Sequence, residues 1–403
     1  MIHFLPAAIR DLLLLAAVAP LAYYVLSSAA ALRFFLRERK RLLPAFTPKL
    51  SLLKPVRGVD FASYENFASF CRQDYPDYEI LFAVNDENDA ALPLIHRLIA
   101  EFPERRIRIF VGAPQLGANK KINKLVRLAR EAQHEILVLT DGDVRVGPQY
   151  LREVAAPFAD SSTGAVTSLY RGVAETNLGA ELEAVGASSD FFAGVLMARW
   201  MEGMTFALGA SIVTTKTWIR RIGGLQRIAN MHSDDYELGY RIAEAGGSVV
   251  LSREPVWTMY PAQSLGGFWD HQVRWARTVR LCRPLSYVGL LFTQGLPWAI
   301  LGASLAHSRS LSAAYLLGYL ILRLMMAYIV GVWGVGDEVL RRKLHLVPLR
   351  DAVNFVIWLA SFASNRISWG GSEFTMDRGC MVAVSPLPPA ATPEAKPAAP
   401  VSR

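Results

Sequence analysis

Three long stretches of this chain carry almost no charge, and they limit its possible folds more than any other feature. Residues 12–32 are 21 consecutive uncharged residues, and residues 285–306 are 22. Residues 311–336 are interrupted only by Arg323. A helix of about 20 apolar residues spans a bilayer core, so each stretch is long enough to cross. The basic cluster Arg37-Glu-Arg-Lys-Arg41 follows the first stretch rather than preceding it. That order favours an uncleaved anchor over a secretory signal, whose small-residue cleavage region Ala29-Ala30-Ala31 would otherwise imitate. Basic flanks mark the cytoplasmic side. Arg341-Arg-Lys343 follows the third stretch, and the short loop before it holds a single arginine, Arg309. The loop is therefore expected outside and the large central region inside. Arg323 near mid-span is costly and must face other helices or snorkel. Residues 352–365 are uncharged but short, which predicts a re-entrant or interfacial helix.

Composition agrees with a membrane protein. Charged residues make up 19% of 403, below the roughly 25% of soluble domains, and mean hydropathy is +0.23. The net charge of +8 is concentrated at Arg37–Arg41, Arg274–Arg283 and Arg341–Lys343. No soluble basic face with interleaved aromatics is visible, which argues against nucleic-acid binding. Cys71, Cys282 and Cys380 are scattered without CxxC spacing. They fit a reducing compartment and the role of small apolar fillers rather than a disulfide framework or a zinc site.

Between the first two stretches, apolar β-branched runs alternate with amphipathic ones. Strands are expected at 50–53, 79–84, 106–111 and 136–139. Helices are expected at 119–132 and 148–158, the second opened by Gly147-Pro148 with proline in its first turn. Such alternation predicts an α/β fold with a mostly parallel sheet and helices on both faces. Residues 188–210 are apolar and aromatic but broken by Arg199 and Glu202, as expected of a buried cleft wall or a membrane-facing surface. From residue 385 the chain is Pro/Ala-rich and is expected to be disordered.

Open parallel sheets bind ligands beyond the carboxyl ends of their strands. Acids stand at two of those ends. Asp86 closes Ile80-Leu-Phe-Ala-Val-Asn-Asp86, and Asp141 and Asp143 close Ile136-Leu-Val-Leu-Thr-Asp-Gly-Asp143. A pair of carboxylates flanking Gly142, which leaves room for close approach, suits Mg²⁺ shared with substrate phosphates. The plain alternative is a solvated turn. Asp86 reads either as a turn cap or as a partner for a base or ribose. Asp234 and Asp235 are adjacent, so mutual repulsion raises at least one pKa, as suits a general base. They also open a helix ending at Gly246, where acids simply complement the dipole. Arg274, Arg277 and Arg280 recur every three residues, near one helical face; arginine suits bidentate phosphate recognition. Trp275 offers a ring to a sugar or to the bilayer interface. A basic membrane-surface helix is the rival and compatible reading. Lys120 and Lys121 open the helix at 119–132, where phosphate also binds well.

In this order, these residues resemble the family 2 inverting glycosyltransferases of the GT-A fold, in which an Asp, a D-x-D-like pair, a catalytic Asp after an acid, and Q/R-x-x-R-W recur. The likeness covers about residues 50–280. Ser51-Leu-Leu-Lys-Pro-Val-Arg-Gly58, Ser69-Phe-Cys-Arg-Gln-Asp-Tyr-Pro76, Asp143-Val-Arg-Val-Gly-Pro148, Leu169-Tyr-Arg-Gly-Val173, Ser233-Asp-Asp-Tyr-Glu-Leu-Gly239 and Arg274-Trp-Ala-Arg-Thr-Val-Arg280 are most similar to ceramide glucosyltransferases and, above all, bacterial hopanoid-biosynthesis-associated glycosyltransferases. The resemblance implies a GT-A Rossmann-like sheet and transfer of a sugar, N-acetylglucosamine in the hopanoid branch, from a UDP-sugar to a lipid hydroxyl with inversion. The acceptor would be a hopanoid polyol such as bacteriohopanetetrol, or a ceramide-like lipid.

The same resemblance assigns roles. Asp235 is the base; Asp86, Asp141, Lys121 and Arg274 bind donor; Trp275 and Asp234 lie toward the acceptor. Asp141 and Asp143 hold a divalent cation, Mg²⁺ or Mn²⁺. His271 stands where the motif has Gln or Arg, with Gln272 beside it in a position to take a slipped role. The implied organisation is an anchor at 1–36, a cytoplasmic catalytic domain at 45–283, transmembrane or interfacial helices at 284–370 and a tail at 385–403, in a bacterial inner membrane. A processive polysaccharide synthase would need more spans for an export channel. A non-catalytic scaffold would not need the full set of acids.

Overall fold

The computed structural model describes residues 6–369, 372–377 and 380–384; the Pro/Ala-rich tail from residue 385 lies outside the described residues. Eight strands form one sheet: β1 (Leu50–Pro55), β2 (Tyr78–Val84), β3 (Arg106–Val111), β4 (Ile136–Thr140), β5 (Val144–Arg145), β6 (Thr163–Ala174), β7 (Ser211–Thr215) and β8 (Ser248–Tyr260). Their order is β3-β2-β1-β4-β7-β6-β8-β5. The β1/β2, β2/β3, β1/β4 and β6/β8 pairs are parallel. Strand β7 runs antiparallel to β4 and β6, and β5 antiparallel to β8.

Every residue of β1, β2 and β4 is buried, as expected of parallel strands covered on both faces. Leu52, Ile80, Phe82 and Val138 face one core, and Leu53, Leu81, Ala83 and Leu139 the other. Edge strand β3 alternates Arg106 and Arg108 with Ile107 and Ile109, and an edge with charge on it resists stray pairing. From β1 the chain moves outward to β2 and β3, then returns to place β4 on the other side of β1. That reversal is a topological switch point, where open α/β sheets leave a crevice.

The helix expected at 148–158 begins later. It spans Tyr150–Ala155 with Gln149 at the N-cap, so Pro148 lies outside the first turn. The cap comes from a distance: Gln73 Oε1 accepts Leu151 N–H at 3.1 Å, and Gln73 Nε2 donates to Gly147 O at 2.8 Å. A proline signal read locally could not include that partner.

Residues Ala7–Lys40 and Arg309–Val335 form two helices long and apolar enough to cross a membrane. Over the expected span at 285–306 lies a pair of helices, Pro284–Thr293 and Gly295–Leu305, apolar enough together to cross but bent by 52° at the break between them. Gly295 N–H donates to Tyr24 Oη at 2.8 Å. A Cβ at Gly295 would stand 2.4 Å from that oxygen, so this close approach of Tyr24 needs glycine. Of residues 352–365, only 352–361 are helical, in the 15-residue helix Val347–Ser361, and this helix supplies the partner that Arg323 requires. Arg323 is buried and donates from Nε and Nη2 to Asp351 at 2.9 and 2.8 Å.

Residues 188–210 line the junction between the sheet and these helices. A π-helical turn, Ala187–Phe191, leads into the helix Phe192–Glu202. The latter shares a core with Tyr24, Ala31 and Phe34 of the N-terminal helix. Beyond residue 365 the chain returns as β9 (Arg366–Trp369), β10 (Ser372–Asp377) and β11 (Cys380–Ala383), a small antiparallel sheet. It bridges to Met231, and Met381 N–H donates to Asn230 O at 2.8 Å.

Candidate functional site

The switch point places the ends of β1 and β4 side by side. Lys54, the last residue but one of β1, is fully buried. Its ammonium lies 3.9 Å over the Phe70 ring and donates to Asp141 O at 2.8 Å. Burial drives Lys54 down to about 7, although Asp143 and Asp141 pull the other way. Burial and the neighbouring Asp141 push Asp143 up to about 7, with Lys54 opposing. The turn Asp141-Gly142-Asp143 is thus held from below by a lysine that sequence reasoning did not single out.

Lys121 connects this turn to the second pair of acids. Its Nζ is 2.7 Å from Asp141 Oδ1 and 3.4 Å from Asp234 Oδ2. Burial alone would lower the Lys121 pKa, but Asp141 and Asp234 outweigh it and hold the ammonium well above its usual range. The helix Lys120–Glu131 aims this side chain. Asn119 caps that helix, its Oδ1 accepting Lys121 N–H at 3.0 Å and Ile122 N–H at 3.1 Å. The Asn119 Nδ2 donates to Met231 O at 2.9 Å and Asp234 Oδ1 at 3.2 Å. One asparagine therefore fixes both the lysine's helix and the acidic loop. Its signal was present in the sequence: asparagine directly before an amphipathic run is an N-cap.

Both oxygens of Asp234 are engaged within the protein, Oδ1 by Asn119 Nδ2 and Oδ2 by Lys121 Nζ. Asp235, next in the helix Asp234–Glu244, accepts Tyr236 N–H on Oδ1 at 2.8 Å. Burial, then Asp234, push Asp235 up to about 6; Lys121 opposes them. The chain at Gly209 lies so close that a Cβ there would be 3.0 Å from Asp235 Oδ2. Tyr170, on β6, sits in the field of Asp235, Asp141 and Asp143; burial and these charges push its phenol up.

Asp86 stands exposed past the end of β2. Its Oδ1 accepts Asn88 N–H at 2.9 Å, the turn-cap geometry. With β1 between them, β2 and β4 are about 10 Å apart at ordinary strand spacing.

The helix Leu265–Cys282 separates its three arginines. Arg277 Nη1 donates to Arg366 O at 2.8 Å, and Arg280 Nη2 to Asn365 Oδ1 at 2.5 Å and Ser364 O at 3.1 Å. The approach to β9 therefore occupies both. The guanidinium of Arg274 has no hydrogen-bond partner among the described residues, and its Nε is buried. Trp275 is partly exposed, its ring 5.6 Å from Phe191. His271 Nδ1 lies 2.6 Å from Glu183 Oε1, and Gln272 accepts a hydrogen bond from Arg350. These contacts tie the helix to Glu183 and Arg350.

Among the described residues no three His, Cys, Asp or Glu side chains gather as a metal cage. Asp141 and Asp143 remain a two-carboxylate set. Mg²⁺ commonly takes one or two carboxylates plus substrate phosphates and water, so the residues fit a cation completed by a diphosphate.

The profile of glycosyl transferase family 21 matches residues 12–382. Ceramide glucosyltransferase 3 of Caenorhabditis elegans is 25% identical over 236 residues, covering 57% of this chain and 50% of that protein. Ceramide glucosyltransferase of Komagataella phaffii is 31% identical over 143 residues, covering 33% and 28%. The chain thus spans half or less of the length of these curated relatives. Among solved structures, the mannosyltransferase PcManGT from Pyrobaculum calidifontis, in complex with GDP-Man and Mn²⁺, aligns with a TM-score of 0.47 and 16% identity over 86% of this chain and 99% of that one. TarS 1–349 of S. aureus aligns at 0.38 and 12%, over 81% and 96%.

Proposed function

Because the chain belongs to glycosyl transferase family 21, we propose that this glycosyltransferase moves a sugar from a UDP-sugar to a hydroxyl of a membrane lipid, in one displacement that inverts the anomeric carbon. The observation that carries this reading is the Lys121 ammonium shared by Asp141 and Asp234. It brings the strand-end acids and the helix-start acids into one site, with a cation where a diphosphate's charge must be met.

Asp235 takes the proton of the acceptor hydroxyl. The freed oxygen attacks the anomeric carbon from the face opposite the diphosphate. The bond from that carbon to the diphosphate oxygen breaks, and UDP leaves with the electron pair. Lys121 and the unpartnered Arg274 stabilise the charge that builds on it. Asp141 and Asp143 would hold the divalent cation, which when bound supplies further charge neutralisation at the diphosphate. Asp86 holds the uracil or ribose, Trp275 faces the acceptor, and Asp234 acts by holding Lys121.

The finer identity follows the sequence likeness: N-acetylglucosamine as the sugar and a hopanoid polyol such as bacteriohopanetetrol as the acceptor. The relatives named as ceramide glucosyltransferases favour a second reading, glucose onto a ceramide-like hydroxyl. In either case residues 1–36 anchor the chain, residues 45–283 form the catalytic unit on the cytoplasmic side of a bacterial inner membrane, and residues 284–370 hold it against the bilayer.

The test is the full chain in detergent with UDP-GlcNAc or UDP-glucose and each lipid, read by mass spectrometry, with and without EDTA. One added hexosamine on the hopanoid, lost with EDTA and restored by Mg²⁺ or Mn²⁺, is the expected result. Glucosylceramide would select the second reading. A polymer would indicate a processive synthase, and donor binding without turnover on any lipid would indicate a scaffold.

A further inference from the structure

The helix that begins at Leu178 breaks into a π turn over Ala187–Phe191 before resuming at Phe192. Such turns cost regular hydrogen bonding and cluster at functional sites. Nothing within residues 187–191 itself, neither proline nor glycine, forces this one. Groups from three different membrane-side helices hold it instead. Ser188 Oγ donates to Asp337 Oδ2 at 2.5 Å, and Asp337 caps the helix Glu338–Lys343. Arg323, in the helix Arg309–Ala327, donates from Nη1 to Ser189 O at 2.9 Å and from Nη2 to Ser189 Oγ at 3.2 Å. Asn354, in the helix Val347–Ser361, donates to Asp190 Oδ2 at 3.3 Å. Asp351 of that last helix clamps Arg323 from the other side and also accepts Tyr319 Oη–H at 2.9 Å.

The turn's other face points at the reaction. Phe191 meets Trp275 edge-on at 5.6 Å, and Phe192 meets Tyr170 edge-on at 5.3 Å. Tyr170 in turn lies in the electrostatic field of Asp235, Asp141 and Asp143. An unbroken chain of contacts therefore runs from a buried arginine in an apolar helix to the two aromatic rings bordering the site.

We propose that Arg323 is a positioning residue for the lipid acceptor: through Ser189 it fixes the π turn, and the turn fixes the ring of Trp275. The guanidinium suits this task because its planar fork serves Asp351 and Ser189 at once. An ammonium on a flexible stem cannot reproduce both. The inference rests on the reading that Trp275 faces the acceptor.

Two variants separate positioning from folding. Arg323→Lys keeps the charge and loses the fork. Arg323→Met with Asp351→Leu removes the pair together; replacing a buried ion pair by apolar groups of similar size preserves folding in general. Both are expected to raise the acceptor KM about tenfold, as a small misplacement of a binding group does, with the donor KM unchanged. Both should also speed amide hydrogen exchange over residues 187–192 and 271–278, in the absence of any substrate. Unchanged exchange there, or acceptor and donor KM rising together, overturns the proposal. The exchange measurement needs no acceptor, so it decides the clamp even if the wild-type chain glycosylates no lipid, a result that would instead overturn the proposed function.

Discussion

Two places in this molecule hold a buried cation against acids, and they are built on opposite plans. In the membrane-side helices Arg323 faces Asp351 one to one, and Nε, Nη1 and Nη2 all donate. At the switch point Lys121 serves Asp141 and Asp234 directly, while Asp235 and Asp143 stand close by with raised pKa values. The first arrangement is closed: each charge meets its partner inside the protein, and no ligand is needed. The second is short of positive charge and leaves two carboxyls poised near neutrality. Perturbed groups of this kind mark sites of chemistry, whereas the closed pair serves architecture.

The sharpest way to break the contrast is to remove one carboxyl from each. Asp235→Asn is expected to lower kcat by about 10²–10⁴, the usual worth of a general base, without loss of stability. The sign follows from the raised value: a carboxyl at about 6 in the folded chain disfavours folding once pH exceeds its unfolded value, near 4, and the cost is complete above 6. The asparagine variant should therefore match the wild type in thermal unfolding at pH 4 and equal or exceed it at pH 7.5. Near-full transfer by this variant would remove Asp235 from its role. Asp351→Asn is the mirror image. Stranding Arg323 costs about 3–5 kcal/mol, so a large drop in Tm is expected. A variant as stable as the wild type would show that the pair is not closed.

The same contrast explains what was legible in the sequence. Strands β1 to β4 could be read because buried apolar runs are local, and the acids at their ends follow from the strands. Asp141, Asp234 and Lys121 were found as separate turns; that one ammonium joins two of them depends on the helix direction set by Asn119. Lys54 left no mark, since a lysine near the end of an apolar strand reads as its exposed terminus, yet here it lies beneath the turn against Phe70. The close approach of Tyr24 to Gly295 and the cap from Gln73 were hidden for one reason: each depends on a residue far away in sequence. The returning strands β9 to β11 are too short to have a period of their own.

A smaller effect comes from the pH dependence of kcat/KM, which reports the free enzyme. Activity should rise with pH through about 6 as Asp235 loses its proton. Lys121→Met withdraws the charge that opposes this shift, so the midpoint should move upward. A midpoint in the ordinary carboxylate range, or no movement in the variant, would separate the base from Lys121 and dissolve the open cluster.

The finest distinction lies along one helix face. The arginine periodicity alone makes Arg274, Arg277 and Arg280 equivalent, and all three have a buried Nε without a partner. Only their outer nitrogens differ. Arg277 and Arg280 already donate to backbone and side chain at residues 364–366, a closed arrangement like that of Arg323. Arg274 belongs to the open one. Arg274→Ala should thus weaken transfer by about 10²-fold, as loss of a donor aimed at developing charge does. Arg277→Ala removes an exposed contact and should change the donor KM by less than about threefold, within the small worth of such surface interactions. Equal losses from the two variants would mean that the carbonyl of Arg366 gives way to the diphosphate, and that the strap carrying β9 moves when the donor binds.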